Sequence, residues 1–405
     1  MRLRDTTAPG AGGGFESCGT PPVVSPAASR EPRGAAPPGK QRMSERAVPP
    51  DGGSGPVRVG LIGYGLAGAV FHAPLVAANP GMRLAAVVTA DPERSAAARR
   101  DHPGAAVLPS ADGLWERAAG LDLVVVASPN RTHVPLALAA LGAGLAVVVD
   151  KPMAPTAAEA VRLVHAARER GLLLSVFHNR RWDGDFLTLR ALVDGGRLGR
   201  PARLESRFER WRPVPKRGWR ESGAPGEAGG TLYDLGSHLV DQALVLFGPV
   251  ARVYAELDRR RPGVEVDDDA FLALAHRSGV RSHLWMSASA AVAGPRFRLL
   301  GGAAGYVKHG LDVQEERLRA GASPSEPEWG AEPRERWGTL GAGDAVEAVP
   351  TLPGAYPAFY EGVRRALREG GPPPVDPLDA VAGLRILEAA RVSAEQGRTV
   401  ELAGE

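Results

Sequence analysis

The chain has 405 residues, 44% of them hydrophobic and 23% charged, with a formal net charge of +3. That length predicts two domains of ordinary size. So small a net charge excludes a nucleic-acid footprint, and the lack of any run of about 18 apolar residues excludes a membrane span.

One cysteine, Cys18, leaves no disulfide framework and no thiolate metal site. The N-terminus lacks the apolar stretch of a secretory signal, so a cytoplasmic protein is expected. Arginine supplies nearly all the basic residues, and lysine occurs only at Lys40, Lys151, Lys216 and Lys308. An amine titrates where a guanidinium does not, so each exception marks either a chemical need for an amine or chance. Residues 1–56 are rich in Gly, Pro, Ala and Arg without periodicity, which predicts disorder. A true flexible tail and a start at Met43 explain that stretch equally well.

Order begins at "VRVGLIGYGLAG". An apolar run, Val57 to Ile62, enters Gly63-Tyr64-Gly65-Leu66-Ala67-Gly68, and a helical pattern follows. This is the GxGxxG dinucleotide fingerprint in its strand, turn, helix context. Gly63 allows the tight turn, Gly65 lets a pyrophosphate approach the backbone, and Gly68 lets helix and strand pack closely. Next come "RLAAVVTA" as a strand, "DPERSAAARR" as a helix, "LDLVVVAS" as a strand, "HVPLALAALGAG" as a helix and "LAVVVDKP" as a strand. Apolar strands alternating with helices predict a parallel sheet covered on both faces, spanning 57–177. Such sheets bind ligands at the strands' carboxyl ends, where Thr89-Ala90-Asp91, Ser128-Pro129-Asn130 and Asp150-Lys151-Pro152 fall.

The texture then changes. Residues 178–402 read as an α+β domain with a predominantly antiparallel sheet, from segments such as "FLALAHRSGVRSHLWMSASA". Within it, "GTLYDLGSHLVDQALVLFG" reads as a core helix, with Leu232, Leu235, Leu239, Ala243 and Leu246 on one stripe. Asp234 and His238, four residues apart, share a face of that helix. Such a pair is more often a surface couple or a satisfied core histidine than a catalytic one. His178 within a strand and His72 in the first helix read as structural, Trp182 as packing, and Asp267-Asp268-Asp269 as a hairpin entrance. "GASPSEPEWGAEPRERWGTLGAGD" reads as a long surface loop, and helices near 355–369 and 377–397 as packing back on the body.

The "GYGLAG" turn, Ser128-Pro129-Asn130 with His133, Asp150-Lys151-Pro152 and Asp234 with His238 together resemble the glucose-fructose oxidoreductase, inositol dehydrogenase and rhizopine catabolism (Gfo/Idh/MocA) family. The likeness covers about 57 to 402 and comes nearest to the family's NADP-dependent scyllo-inositol dehydrogenases. It implies a dehydrogenase acting on a secondary alcohol of a polyol or sugar, with scyllo-inositol and its 2-keto form as the best guess. Lys151, Asp234 and His238 would be its catalytic group, with His238 as base, Lys151 stabilising alkoxide charge and Asp234 orienting the imidazole. Tyr64, Leu66, Ala67, His133 and Asp150, with the glycines and the strand-end clusters, would hold the coenzyme. Asn179, Arg180, Tyr233 and His238 would hold the substrate, although Arg180 and Arg181 read equally well as a solvated ion-pair network.

Two departures from the family pattern bear on the coenzyme. Asp150 replaces the commoner glutamate. Ala90 takes the place of a ribose-binding acid, which favours NADP with Arg94 on its phosphate, whereas a one-residue shift of register would put Asp91 on the ribose and favour NAD. A nicotinamide-dependent glycosidase and a non-catalytic dinucleotide-binding regulator are the alternatives on this fold. A homo-oligomer formed through the C-terminal sheet is expected.

Overall fold

The computed structural model describes residues 55–403 except 216, 217 and 225. The expectations for Cys18, Lys40, Met43, the N-terminal tail and Lys216 lie outside the described residues.

Six strands form a parallel sheet: β1 (Val57–Ile62), β2 (Met82–Val88), β3 (Ala106–Leu108), β4 (Leu123–Val126), β5 (Ala146–Val149) and β6 (Leu174–Val176). Their order is β3-β2-β1-β4-β5-β6. Every residue of β4 and β5 is buried, which is why these runs are apolar throughout rather than alternating. Helices α1 (Ala73–Ala77), α2 (Pro92–Asp101), α3 (Asp112–Trp115), α4 (His133–Gly142) and α5 (Ala157–Glu169) alternate with the strands. The strand order reverses between β1 and β4, so their carboxyl ends diverge and open a crevice.

The glycine turn bears out its reading. Gly63 has φ +99, and a Cβ on Gly68 would lie 2.0 Å from the Gly63 carbonyl oxygen. A Cβ on Gly65 would meet only Arg94 Nη1, at 3.6 Å. The helix after this turn opens with a wide π-helical turn over Ala67–His72 before α1. His178 falls just past β6 instead of within a strand, because β6 ends at Val176 and the chain turns into a short helix at Asn179–Trp182.

After α6 (Gly184–Asp194), nine strands form the second sheet, with α7 (Ser237–Phe247) and α8 (Gln314–Arg319) in its connections. The strands are β7 (Pro201–Glu209), β8 (Val250–Asp258), β9 (Asp269–His276), β10 (Arg281–Ser287), β11 (Phe297–Gly301), β12 (Gly305–Lys308), β13 (Gly338–Ala342), β14 (Ala345–Val349) and β15 (Val400–Glu401). All pairings are antiparallel except β7 with β10. Strict burial alternation along β9 shows one face on the core and the other turned outward. The surface loop expected over 321–344 is corrected at its end, where Gly338–Ala342 is a strand paired with β12. Its glycines and alanines hide it from a reading based on β-branched and aromatic content. Asp269 does open β9. Its neighbour Asp267 accepts a hydrogen bond from the Leu232 amide at 2.7 Å and so anchors the start of the Asp234 segment.

Helices α9 (Pro357–Arg368) and α10 (Pro377–Gln396) pack back on the body, α9 beside α1 and α10 against β8, α5 and α7. Phe359 meets Phe177 and Trp182 edge-on at 5.0 and 5.6 Å, and the Tyr360 hydroxyl is 2.6 Å from His72 Nδ1. On α10, Glu388 accepts from the Ala157 amide at 2.7 Å. Just before α10, the Val375 carbonyl accepts from Ser175 at 2.9 Å.

These contacts separate the two inner glycines of the turn. Gly68→Ala is expected to cost roughly 1–3 kcal/mol through overpacking against the Gly63 carbonyl, whereas Gly65→Ala, with open space, leaves the melting temperature near that of the parent. Equal losses for the two variants in thermal unfolding would contradict this assignment.

Candidate active site

A cleft of about 1350 Å³ opens at the carboxyl ends of the parallel strands and is closed on its far side by residues of the second sheet. The 63–67 turn, Ala90, Asp91, Arg94, the 128–130 turn, Asp150 and Lys151 form one wall. Asn179, Arg180, Asp234 and His238 form the other. Nearly all the residues singled out from the sequence therefore meet in one space.

Two do not line it. His133 is buried, with Nδ1 2.8 Å from the Pro152 carbonyl and Nε2 2.9 Å from the Ser128 carbonyl. Burial lowers its proton affinity, and a neutral ring has a single N–H to donate between two acceptors. Its place is therefore corrected from coenzyme contact to a tie between the two turns that carry Ser128 and Lys151. Tyr233 is also corrected: its ring is buried under the Arg391 guanidinium, 4.8 Å away. Neighbouring residues on a helix point in different directions, and with Asp234 facing the cleft Tyr233 faces α10.

Lys151 joins the two walls. Its Nζ donates to Asp234 Oδ1 at 2.9 Å and also to the Asp234 carbonyl. The expected pairing of Asp234 with His238 is replaced by this contact, because residues 232–236 form a π-helical turn that breaks the i, i+4 stacking of a regular α-helix. Arg220 Nε approaches the same carboxylate at 3.5 Å. Burial favours a neutral Asp234, but Lys151, Arg220 and Arg210 outweigh it and hold the carboxyl well below its usual range. Burial lowers the Lys151 amine below the ordinary lysine value, opposed by Asp234 and reinforced by Arg220.

His238 is held neutral. Burial pushes its proton affinity well down, and Lys151, Arg180, His178 and Arg296 add to the effect. Its Nδ1 is buried and makes no hydrogen bond among the described residues. The ring stacks beside Phe208 at 6.5 Å and meets His178 edge-on at 6.4 Å.

Arg180 both lines the cleft and belongs to an ion-pair network, which is buried rather than solvated. It reaches Glu315 at 2.6 Å and Asp183 at 3.3 Å. Asp183 in turn accepts from the Tyr356 hydroxyl at 2.7 Å. Arg181 turns away to Asp241 and Asp379. Sequence reasoning missed Phe208, Arg210, Arg212, Arg220 and Glu315. One signal was present: Leu204, Ser206 and Phe208 are the buried parity of β7, and Arg210 and Arg212 continue it.

The coenzyme fit rests on the open approach to Gly65, with Arg94 beside it. Asp91 is the cap of α2, accepting from the Arg94 amide at 3.0 Å.

The sequence profile described as "Oxidoreductase family, NAD-binding Rossmann fold" matches residues 57–178. The one described as "Oxidoreductase family, C-terminal alpha/beta domain" matches 190–402. The chain is 42% identical over 349 residues to the uncharacterized oxidoreductase YdgJ of Escherichia coli (strain K12), covering 86% of this chain and 99% of that one. It is 37% identical over 350 residues to the NADP-dependent scyllo-inositol 2-dehydrogenase IolW of Bacillus subtilis (strain 168), covering 85% and 96%. Among solved structures, the oxidoreductase YPO2259 of Yersinia pestis superposes with a TM-score of 0.81 at 39% identity, covering 87% of this chain and 99% of that one. Sequence pattern, strand order and the two matched profiles agree, and the chain belongs to the Gfo/Idh/MocA family of oxidoreductases.

Proposed function

We propose that the protein oxidises a secondary alcohol of a polyol or sugar, or reduces the matching ketone, with NADP as coenzyme. The observation that carries this reading is a neutral, buried imidazole in the wall that holds Asp234, beside the Lys151–Asp234 pair that bridges to the wall of the glycine turn. A bound nicotinamide coenzyme supplies the hydride acceptor. The protein's own residues handle the proton and the charge. His238, uncharged at neutral pH, accepts the hydroxyl proton. Lys151 places a positive charge where the alkoxide develops. Asp234 acts on the lysine: it fixes the ammonium in one position and keeps it charged despite burial.

The 63–67 turn would hold the pyrophosphate, and Arg94 the 2′-phosphate. Support for NADP comes from Asp91, whose carboxylate is engaged as a helix cap, and from the likeness to IolW, an NADP-dependent enzyme. That likeness also makes scyllo-inositol and its 2-keto form the first couple to assay.

His238→Ala is expected to lower turnover by roughly two to four orders of magnitude and to leave coenzyme affinity unchanged. A lowered imidazole pKa means that the base is lost only as pH falls, so the acid limb of kcat/KM for oxidation lies below the ordinary value of 6.5. A limb above that value, absent from the alanine variant, would contradict the buried neutral base.

Lys151→Arg retains charge, but a planar guanidinium does not fit the two oxygens of Asp234 in the same way, and most activity is expected to be lost. Near-parental turnover would show that charge alone suffices.

Arg94→Ala is expected to raise KM for NADP at least tenfold, as for loss of one charge-assisted hydrogen bond, with little effect on NAD. Asp91→Ala is expected to cost about 1 kcal/mol of stability through the lost cap. A parent enzyme that prefers NAD, and loses that preference in Asp91→Ala, would place Asp91 on the ribose instead.

A further inference from the structure

We infer that the substrate of this cleft carries an anionic group, a carboxylate or a phosphate monoester, bound by Arg210 and Arg212. The inference rests on the hydride-transfer reading and narrows its substrate class.

Both arginines line the cleft on the substrate wall. Their backbone is fixed, since the Arg210 amide donates to the Ser287 carbonyl at 2.9 Å and the Arg212 amide to the Ala288 carbonyl at 2.8 Å. Neither guanidinium makes a hydrogen bond or ion pair of its own among the described residues. Arg210 stacks 4.6 Å from the centre of Phe208, the ring that also flanks His238. That places a guanidinium with no ion pair among the described residues one aromatic ring away from the proposed base.

The two carboxylates that attract Arg210 are already paired with other cations. Asp234 is shared by Lys151 and Arg220, and Glu315 by Arg180 and Arg319. Arg261, behind Arg212, is matched by Asp268 and Glu221. Burial, together with Arg212 and Arg180, lowers the Arg210 guanidinium to about 10, with Glu315 and Asp234 opposing. Guanidiniums crowded in this way gain from an anion, and their forked donors match a carboxylate or phosphate. A neutral polyol offers no such counter-charge.

The test compares kcat/KM with NADP for neutral and anionic partners: scyllo-inositol against an inositol monophosphate, and glucose against glucuronate and glucose 6-phosphate. The parent enzyme is expected to favour an anionic member of at least one set by tenfold or more, and less so as salt rises. Preference for glucuronate identifies a carboxylate, and preference for the phosphate esters identifies a phosphate. In Arg210→Gln and Arg212→Gln the anionic-to-neutral ratio is expected to fall toward one.

A parent that prefers the neutral compounds, or a ratio unchanged in both variants, would overturn the inference. Should no compound of either charge turn over, the hydride-transfer reading is at fault, and the anion site is judged by binding. With NADP saturating, glucuronate or inorganic phosphate should then raise the melting temperature of the parent and not of Arg210→Gln. Equal shifts, or none, would dispose of the site.

Discussion

Lys151 reaches from the end of β5 to the turn before α7, and much of the cleft is organised around that contact. Its ammonium donates to both the carboxylate and the main-chain oxygen of Asp234, so it fixes the turn as well as the charge. The lysine side chain is 13% exposed, so removing Asp234 leaves a costly lone charge on it, whereas Asp234 without Lys151 still has Arg220 at 3.5 Å. The contact joins the two walls of the cleft.

Burial first, and then the charges around this pair, explain the state of His238. Lys151, Arg180 and Arg296 all oppose an imidazolium, so the ring waits as a free base. In the proposed reaction, the same field favours passing on a proton that the ring has taken. The anchoring of Arg180 by Glu315 and Asp183 keeps the field fixed rather than dependent on mobile side chains.

Much of this was legible in the sequence because it follows from local rules. The glycine turn, the all-apolar strands and the Asp91 cap each depend on a few adjacent residues. The pairing of Asp234 was not, since spacing alone assumes a regular helix and the chain makes a π-helical turn there. His133 and Tyr233 were close in sequence to cleft residues but point away from them. Strand β13 hid because Gly338, Gly341 and Ala342 carry no strand signature. Arg180 and Glu315 pair across 135 residues of sequence, which no local pattern encodes.

The position of α10 bears on how the chain is made. The Ser175–Val375 hydrogen bond spans 200 residues, and at a synthesis rate of ~5–20 residues per second the first partner waits about 10–40 s for the second to be made. Through that interval the nascent nucleotide-binding half has left the ribosome with the flank of α5 and β6 still uncovered. Its apolar surface is then a target for chaperones, and a translational pause before residue 375 would lengthen the exposure.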